Sequence, residues 1–340
     1  MNHNNLETAE LNSNLGSSIY GDNIIIFGTS ENDTLFGTFK SETLRGGDGD
    51  DLAYGYGNND RLTGLDGDDS LFGGKGKDLI FGGDGNDSMV GGEGNDSIWD
   101  GIGDDFLSGG SGNDRLDAYI GNDTLIGGNG DDLLMSGEDE AWDDSQDWGP
   151  DRDVLYGGAG NDTLSAGAED DFLSGGSGND RLGGTSGNDT LYGGRGIDSL
   201  YGGVGNDLMF GGRDKDLFWG SEGNDSMSGD GGNDKLLGGE GDDILVGGYG
   251  RDTLNGGDGS DIYVLERNSG QDSINNFQNG VDFLGLSKGL SFTDLTFVRT
   301  GGSTNIIEDG RLLATISGVK PDLIDRSDFV TGQFDTKLWS

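Results

Sequence analysis

The chain has 340 residues, 72 of them glycine and 2 proline, and 31% hydrophobic residues against about half in ordinary soluble domains, which excludes a thick core of large side chains. Its formal charge of −44, from 64 acidic and 20 basic residues, opposes any compact state without bound cations and excludes nucleic acid, whose phosphates call for clustered Lys and Arg. There is no cysteine for a disulfide or thiolate site, and the single histidine, His3, sits in a polar terminal stretch and is read as solvated.

Residues 1–27 read as a polar tail that ends in the start of a first coil at Ile24-Ile25-Ile26-Phe27. The tail has neither the basic n-region nor the apolar h-region of a cleavable signal peptide, and no apolar run approaches a membrane span. Taken alone, these absences point to the cytosol.

From Gly28 the chain falls into a nine-residue period, clearest in Gly82-Gly-Asp-Gly-Asn-Asp-Ser-Met-Val90 and Gly91-Gly-Glu-Gly-Asn-Asp-Ser-Ile-Trp99. In this register the sixth place holds Asp33, Asp51, Asp60, Asp69, Asp78, Asp87, Asp96, Asp105, Asp114, Asp123 and Asp132, and only Glu42 departs. The eighth place is apolar throughout, as at Leu71, Ile80, Met89, Ile98 and Leu107. One buried residue in a very short strand, followed by a glycine turn, does not fit a helix. It fits a solenoid in which two nonapeptides make one coil and successive coils pair their strands in parallel.

The period breaks over residues 136–156, an acidic stretch carrying Trp142 and Trp148 that reads as a surface loop tolerated on a turn. It resumes at Gly157, with Asp162, Asp171, Asp180, Asp189, Asp198, Asp207, Asp216, Asp225, Asp234, Asp243, Asp252 and Asp261 in the sixth place. Two repeat blocks, 28–135 and 157–264, result. At the ninth place Phe36, Tyr54 and Phe72 recur every eighteen residues, as do Phe81 with Trp99, Tyr192 with Phe210, and Tyr201 with Trp219. One coil apart, such rings form ladders that stabilise the sheet faces.

Residues 265–340 lose the period. Turn signals at Asn279-Gly280, Gly301-Gly302 and Asp309-Gly310 predict hairpins over 290–319 that cover the last coil, then a short turn or helix near Pro321 to Phe329. Solenoids need such caps because an open coil leaves unpaired edges.

The glycines at the first, second and fourth places are expected to take φ > 0 and turn backbone carbonyls inward. Calcium takes six to eight hard oxygens, mixing carboxylates with carbonyls, and the turn supplies both. Asp69 and Asp87 should then lie one above the other on one edge, with Asp78 and Asp96 on the opposite edge. One ion between neighbouring turns gives about 11 sites per edge, roughly 22 in all and about +44 of charge. That offsets the formal −44, so metal binding and folding become one event. Imperfect turns reduce the number to roughly 15–22 ions. Such turns include those with Glu31, Lys40, Glu169 or Asp214 at the fourth place and Asp100, Ala118 or Ala166 at the first, and the turn of Lys40 and Glu42 is the weakest.

These residues resemble the Gly-Gly-x-Gly-x-Asp-x-U-x nonapeptide of the RTX, or hemolysin-type calcium-binding, family, over about two thirds of the chain. The resemblance implies an all-β fold, a calcium-bound right-handed parallel β-roll with a β-rich C-terminal cap. It also implies a secreted, extracellular protein exported by type I secretion machinery through an uncleaved C-terminal signal, which reverses the cytosolic reading. It implies further that the chain stays extended at cytosolic calcium levels and folds outside. No His-Glu-x-x-His site or Gly-x-Ser-x-Gly elbow is present, and residues 1–27 are too few for a catalytic domain, so the expectation is a non-enzymatic surface, matrix or adhesion component. Cell-surface polysaccharide is one partner class. The alternative is a family toxin or an accessory of a secreted hydrolase or epimerase.

Overall fold

The structure, a computed structural model, describes residues 16–20, 23–137 and 151–334, and divides into two compact units, residues 1–172 and 173–340. Each unit is a parallel β-roll, and the protein is all-β.

In the first unit short strands alternate between two parallel sheets. One sheet contains Glu42–Asp48, Arg61–Asp66, Leu79–Asp84 and Ser97–Trp99; the other contains Leu52–Gly57, Ser70–Lys75, Ser88–Glu93 and Phe106–Ser111. Leu62 pairs with Ile80 and Leu71 with Met89, an offset of eighteen residues that makes two nonapeptides one coil, as the period predicts. The first coil opens on Asn23–Phe27, whose Ile24 pairs in parallel with Glu42 and whose other edge is covered by the antiparallel strand Gly16–Tyr20.

The core is a single file. Leu62, Leu71, Ile80, Met89 and Ile98 are each fully buried between the sheets, and their neighbours at the seventh and ninth places are not. One buried apolar side chain for nine ordered residues is a poor ratio of apolar burial to lost backbone freedom, so a further source of stability is required.

The turns correct one expectation. At most turns the glycines at the second and fourth places do take φ > 0, as at Gly74 (109°) and Gly76 (129°), but the first glycine of the repeat does not. It is glycine for lack of room: a Cβ on Gly73 would lie 2.5 Å from Asp78 Oδ2 and 2.8 Å from the carbonyl oxygen of Gly91. Glu169 (75°) and Asp214 (76°) hold the left-handed turn in place of glycine, whereas Glu31 and Lys40 do not adopt it.

Across the interruption, Val154–Ala159 pairs with Thr124–Asn129, Leu155 facing Leu125. The offset there is thirty residues, so the coil carries a twelve-residue insertion and the period resumes at Asp153, not Gly157. Trp142 and Trp148 lie outside the described residues.

In the second unit one sheet runs from Arg181–Ser186 through Ser199–Val204, Leu217–Glu222 and Lys235–Glu240 to Thr253–Asp258, and the other from Thr190–Arg195 through Leu208–Arg213, Ser226–Ser228 and Ile244–Val246 to Ile262–Leu265. The coils go on beyond residue 264. Asp272–Asn275 pairs in parallel with Thr253–Asp258, and Phe283–Ser287 with Ile262–Leu265. Antiparallel strands Leu295–Thr300, Ser303–Glu308 and Arg311–Ile316 follow, turning at Gly301-Gly302 and Asp309-Gly310 as the turn signals predict. Arg311–Ile316 covers Asp272–Asn275 and Phe329–Phe334 covers Phe283–Ser287, so the last coil is capped on both sheets. Two single-turn 3-10 helices, Pro321–Leu323 and Arg326–Asp328, lie between them, and no helix among the described residues is long and apolar enough to cross a membrane.

Candidate metal centres

The sixth-place carboxylates are brought into rows, one coil apart. The backbone N–H of Asp51 donates to Asp69 Oδ1 at 2.7 Å and that of Asp69 to Asp87 Oδ1 at 2.7 Å, while Asp60, Asp78 and Asp96 form the second row in the same way. The first unit's rows continue through Asp105, Asp114, Asp123 and Asp132, and reach Asp162 and Asp171. In the second unit one row runs Asp180, Asp198, Asp216, Asp234 and Asp252, and the other Asp189, Asp207, Asp225, Asp243 and Asp261. All of these side chains are buried.

Only one carboxylate oxygen takes part in the ladder. In the first unit Oδ2 of Asp51, Asp60, Asp69, Asp78, Asp96, Asp114, Asp123 and Asp132 is buried without a hydrogen-bond partner, and in the second so is Oδ2 of Asp198, Asp207, Asp216, Asp225, Asp234, Asp243, Asp252 and Asp261. An unsatisfied buried carboxylate oxygen is costly. At most of these turns Oδ2 points at the first glycine, where the first-glycine carbonyl of the next coil also lies, as at Gly193, whose Cβ would sit 2.6 Å from Asp198 Oδ2 and 2.7 Å from the Gly211 oxygen. Carboxylate and carbonyl oxygens converging on one enclosed spot are a donor set for a hard cation, and calcium fits it.

The electrostatics agree. Burial, reinforced by neighbouring carboxylates and opposed by the ladder N–H bonds, pushes Asp60 and Asp243 up to about 8 and Asp69, Asp96 and Asp207 to about 7. Burial thus disfavours the charged form of these groups, and a cation beside them would restore it.

Three residues extend the rows that the period did not mark. Asp153 accepts from Asp123 N–H at 2.8 Å, Asp272 from Asp252 at 3.3 Å and Asp282 from Asp261 at 3.3 Å. Their signal lies in the local strings Asp153-Val-Leu-Tyr-Gly-Gly, Asp272-Ser-Ile-Asn and Asp282-Phe-Leu-Gly, each an acid two places before a buried apolar residue. Asp33 differs in the other direction: it is half-buried and its Oδ2 accepts from Thr29 N–H at 2.6 Å and Thr29 Oγ1 at 2.8 Å. Glu42 is likewise held by Thr38, so the first coil's acids are satisfied within their own turns. A second ladder, exposed and unforeseen, runs along the fifth place, where Asn86 N–H donates to Asp68 Oδ1 at 2.8 Å and Asp104 N–H to Asn86 Oδ1 at 2.8 Å.

A family model described as the RTX calcium-binding nonapeptide repeat (4 copies) matches in overlapping copies that together cover residues 27–139 and 149–274. No curated protein matches the chain significantly. Among solved structures, the extracellular lipase LipA from Serratia marcescens is similar at 17% identity over 88% of this chain and 40% of that one, with a TM-score of 0.17, a likeness too loose to carry an argument. The chain thus spans well under half the length of that lipase.

Proposed function

Because the chain belongs to the RTX calcium-binding nonapeptide repeat family, we propose that it is an extracellular protein whose repeats fold on binding roughly 15–22 calcium ions, and that its role is structural or adhesive, without catalysis. The observation that carries this reading is the rows of buried carboxylates, each with one oxygen bonded to the preceding coil and, at most turns, the other left facing a neighbour's carbonyl.

A calcium ion at each such spot supplies the missing partner and the missing charge together. Asp60, Asp78 and Asp96 on one row, and Asp51, Asp69 and Asp87 on the other, then act as ligands held in place by backbone N–H groups. Without the ion, adjacent buried carboxylates repel, so the roll and the metal site form together. The non-catalytic reading is supported by the same placement: the many paired acids are periodic, buried and tied to the turns.

The extracellular assignment is supported by family membership and by the calcium that folding would require. Turns built from shared carboxylates and carbonyls suit calcium at the levels found outside cells, and the family resemblance supports export by type I secretion. Surface polysaccharide is the partner class that this role favours.

Far-UV circular dichroism of the chelator-stripped chain, titrated with calcium and separately with magnesium, tests the proposal. A cooperative coil-to-β transition specific to calcium at sub-millimolar to millimolar levels is expected. A spectrum unchanged by calcium sinks the coupling of folding to metal.

A further inference from the structure

We propose that the turn occupied by Asp87, Asp100 and Asp105 is a three-carboxylate cation site that binds first and most tightly, with Asp100 as a ligand that the regular repeat does not possess. This inference rests on the calcium-binding reading of the rows. Asp100 stands at the first place of its repeat, where the period elsewhere puts glycine or, twice, alanine.

The geometry is specific to this turn. Oxygens of Asp87, Asp100 and Asp105 all lie within 4.8 Å of one another, and no other group of three acidic or histidine side chains does so among the described residues. Twice a calcium–oxygen distance of about 2.4 Å is about 4.8 Å, so one ion can bridge any two of the oxygens and reaches all three with at most a few tenths of an ångström of inward movement. The three side chains are 2%, 6% and 3% exposed, and Oδ2 of each is buried without a hydrogen-bond partner.

Asp100 is also aimed. Its Oδ1 accepts from its neighbour Gly101 N–H at 2.8 Å and from Gly83 N–H at 3.1 Å, which directs the carboxyl toward Gly82 on the preceding coil. A Cβ on Gly82 would collide with Asp100 Oδ1 and Asp87 Oδ2 together, so the bare glycine makes room for both acids. In a regular turn, such as that of Gly73, the corresponding neighbours are one carboxylate oxygen and one carbonyl. The extra carboxylate adds a full negative charge to the donor set, and ligand charge is a principal control of calcium affinity. Coulombic attraction for a trivalent ion rises further still.

Trp99, adjacent to Asp100 and stacked on Phe81 with ring centroids 5.2 Å apart, provides a reporter. The test uses the full chain, stripped of metal, and titrates terbium while exciting tryptophan, with calcium competition and calcium calorimetry in parallel. The native chain should show sensitised emission with a break near one ion per chain, and that break should vanish in Trp99→Phe. Asp100→Gly restores the regular repeat; it should reach the same calcium-saturated circular dichroism spectrum, lose that break, and bind its first calcium about tenfold more weakly. Asp100→Asn keeps the side chain's shape and should fall between the two.

If Asp100→Gly folds with calcium but binds its first ion as tightly as the native chain, or more tightly, Asp100 is no ligand and the inference is overturned. It is overturned equally if Asp100→Asn matches the native chain. If neither the native chain nor the variants respond to calcium at all, the general reading of the rows fails, and that result is distinct from the first.

Discussion

At the residue scale, two kinds of glycine do different work in one turn. Gly74 is required by its backbone conformation, whereas Gly73 is required by the oxygens beside it. Gly73→Ala should therefore raise the calcium midpoint and cost at least about 2 kcal/mol of calcium-saturated stability, since Asp78 must leave its place. Gly183 has nothing within 4 Å of its hypothetical Cβ, and Gly183→Ala should be nearly neutral in the same chemical melts. The buried carboxylates also fix the sign of the pH response. Burial raises Asp60, Asp69, Asp96, Asp207 and Asp243 from 3.8 to about 7 or 8, so without metal they favour the compact state below the ordinary value and oppose it as pH rises through the raised one. The metal-free chain should gain β signal on acidification from pH 8 to 4, while at pH 8 the signal should depend wholly on calcium. Circular dichroism against pH, with chelator and with calcium, checks both halves; a chelated chain equally folded at pH 8 and pH 4 contradicts the argument.

At the element scale, most strands of the rolls are only three to six residues long, and the partners of a regular strand lie eighteen residues away. The ninth-place ladders add lateral stability: Tyr54 stacks on Phe72 at 5.0 Å, Tyr192 on Phe210 at 4.8 Å and Tyr201 on Trp219 at 4.3 Å between ring centroids. Arg181 also lies over the Tyr201 ring at 4.3 Å. Tyr201→Ser should thus cost about 1–2 kcal/mol in calcium-saturated melts and leave the number of bound ions unchanged. The rows, the single-file core and these ladders were legible because a strict period places equivalent residues one above another. Asp153, Asp272 and Asp282 were not, because insertions lengthen their coils while strand pairing keeps the register. The first coil's self-satisfied Asp33 was hidden for another reason: Thr29 looks like an ordinary departure from glycine until its hydroxyl is seen on the carboxylate.

At the scale of the whole molecule, a formal charge of −44 makes calcium a condition of compaction. Because the attraction for the first ions is partly long-ranged, raising monovalent salt from about 0.01 to 0.15 M should move the calcium midpoint upward, as the Debye length shrinks from about 30 to 8 Å. Equilibrium dialysis at the two salt levels checks this, and a midpoint that falls with salt contradicts it. The single-file core was visible in composition, since 31% hydrophobic residues suffice when each coil buries so little. How the last coil is closed was visible only in outline: the turn signals marked the hairpins, but the parallel docking of Arg311–Ile316 onto Asp272–Asn275 joins residues about forty apart, which no local pattern encodes.

The ladder that holds the carboxylates also has a direction. Every bond along a buried row runs from the N–H of one coil to the side chain of the coil after it, as from Asp78 to Asp96, while the exposed fifth-place row runs the opposite way. A coil already in place therefore presents a fixed donor to the chain that follows, whereas a coil waiting for the one before it presents only a carboxylate still free to rotate. The two ends of a roll are not equivalent as templates. Growth from the N-terminal side offers each arriving acid a donor already in place, and growth from the C-terminal side leaves each acid unaimed until the coil before it arrives.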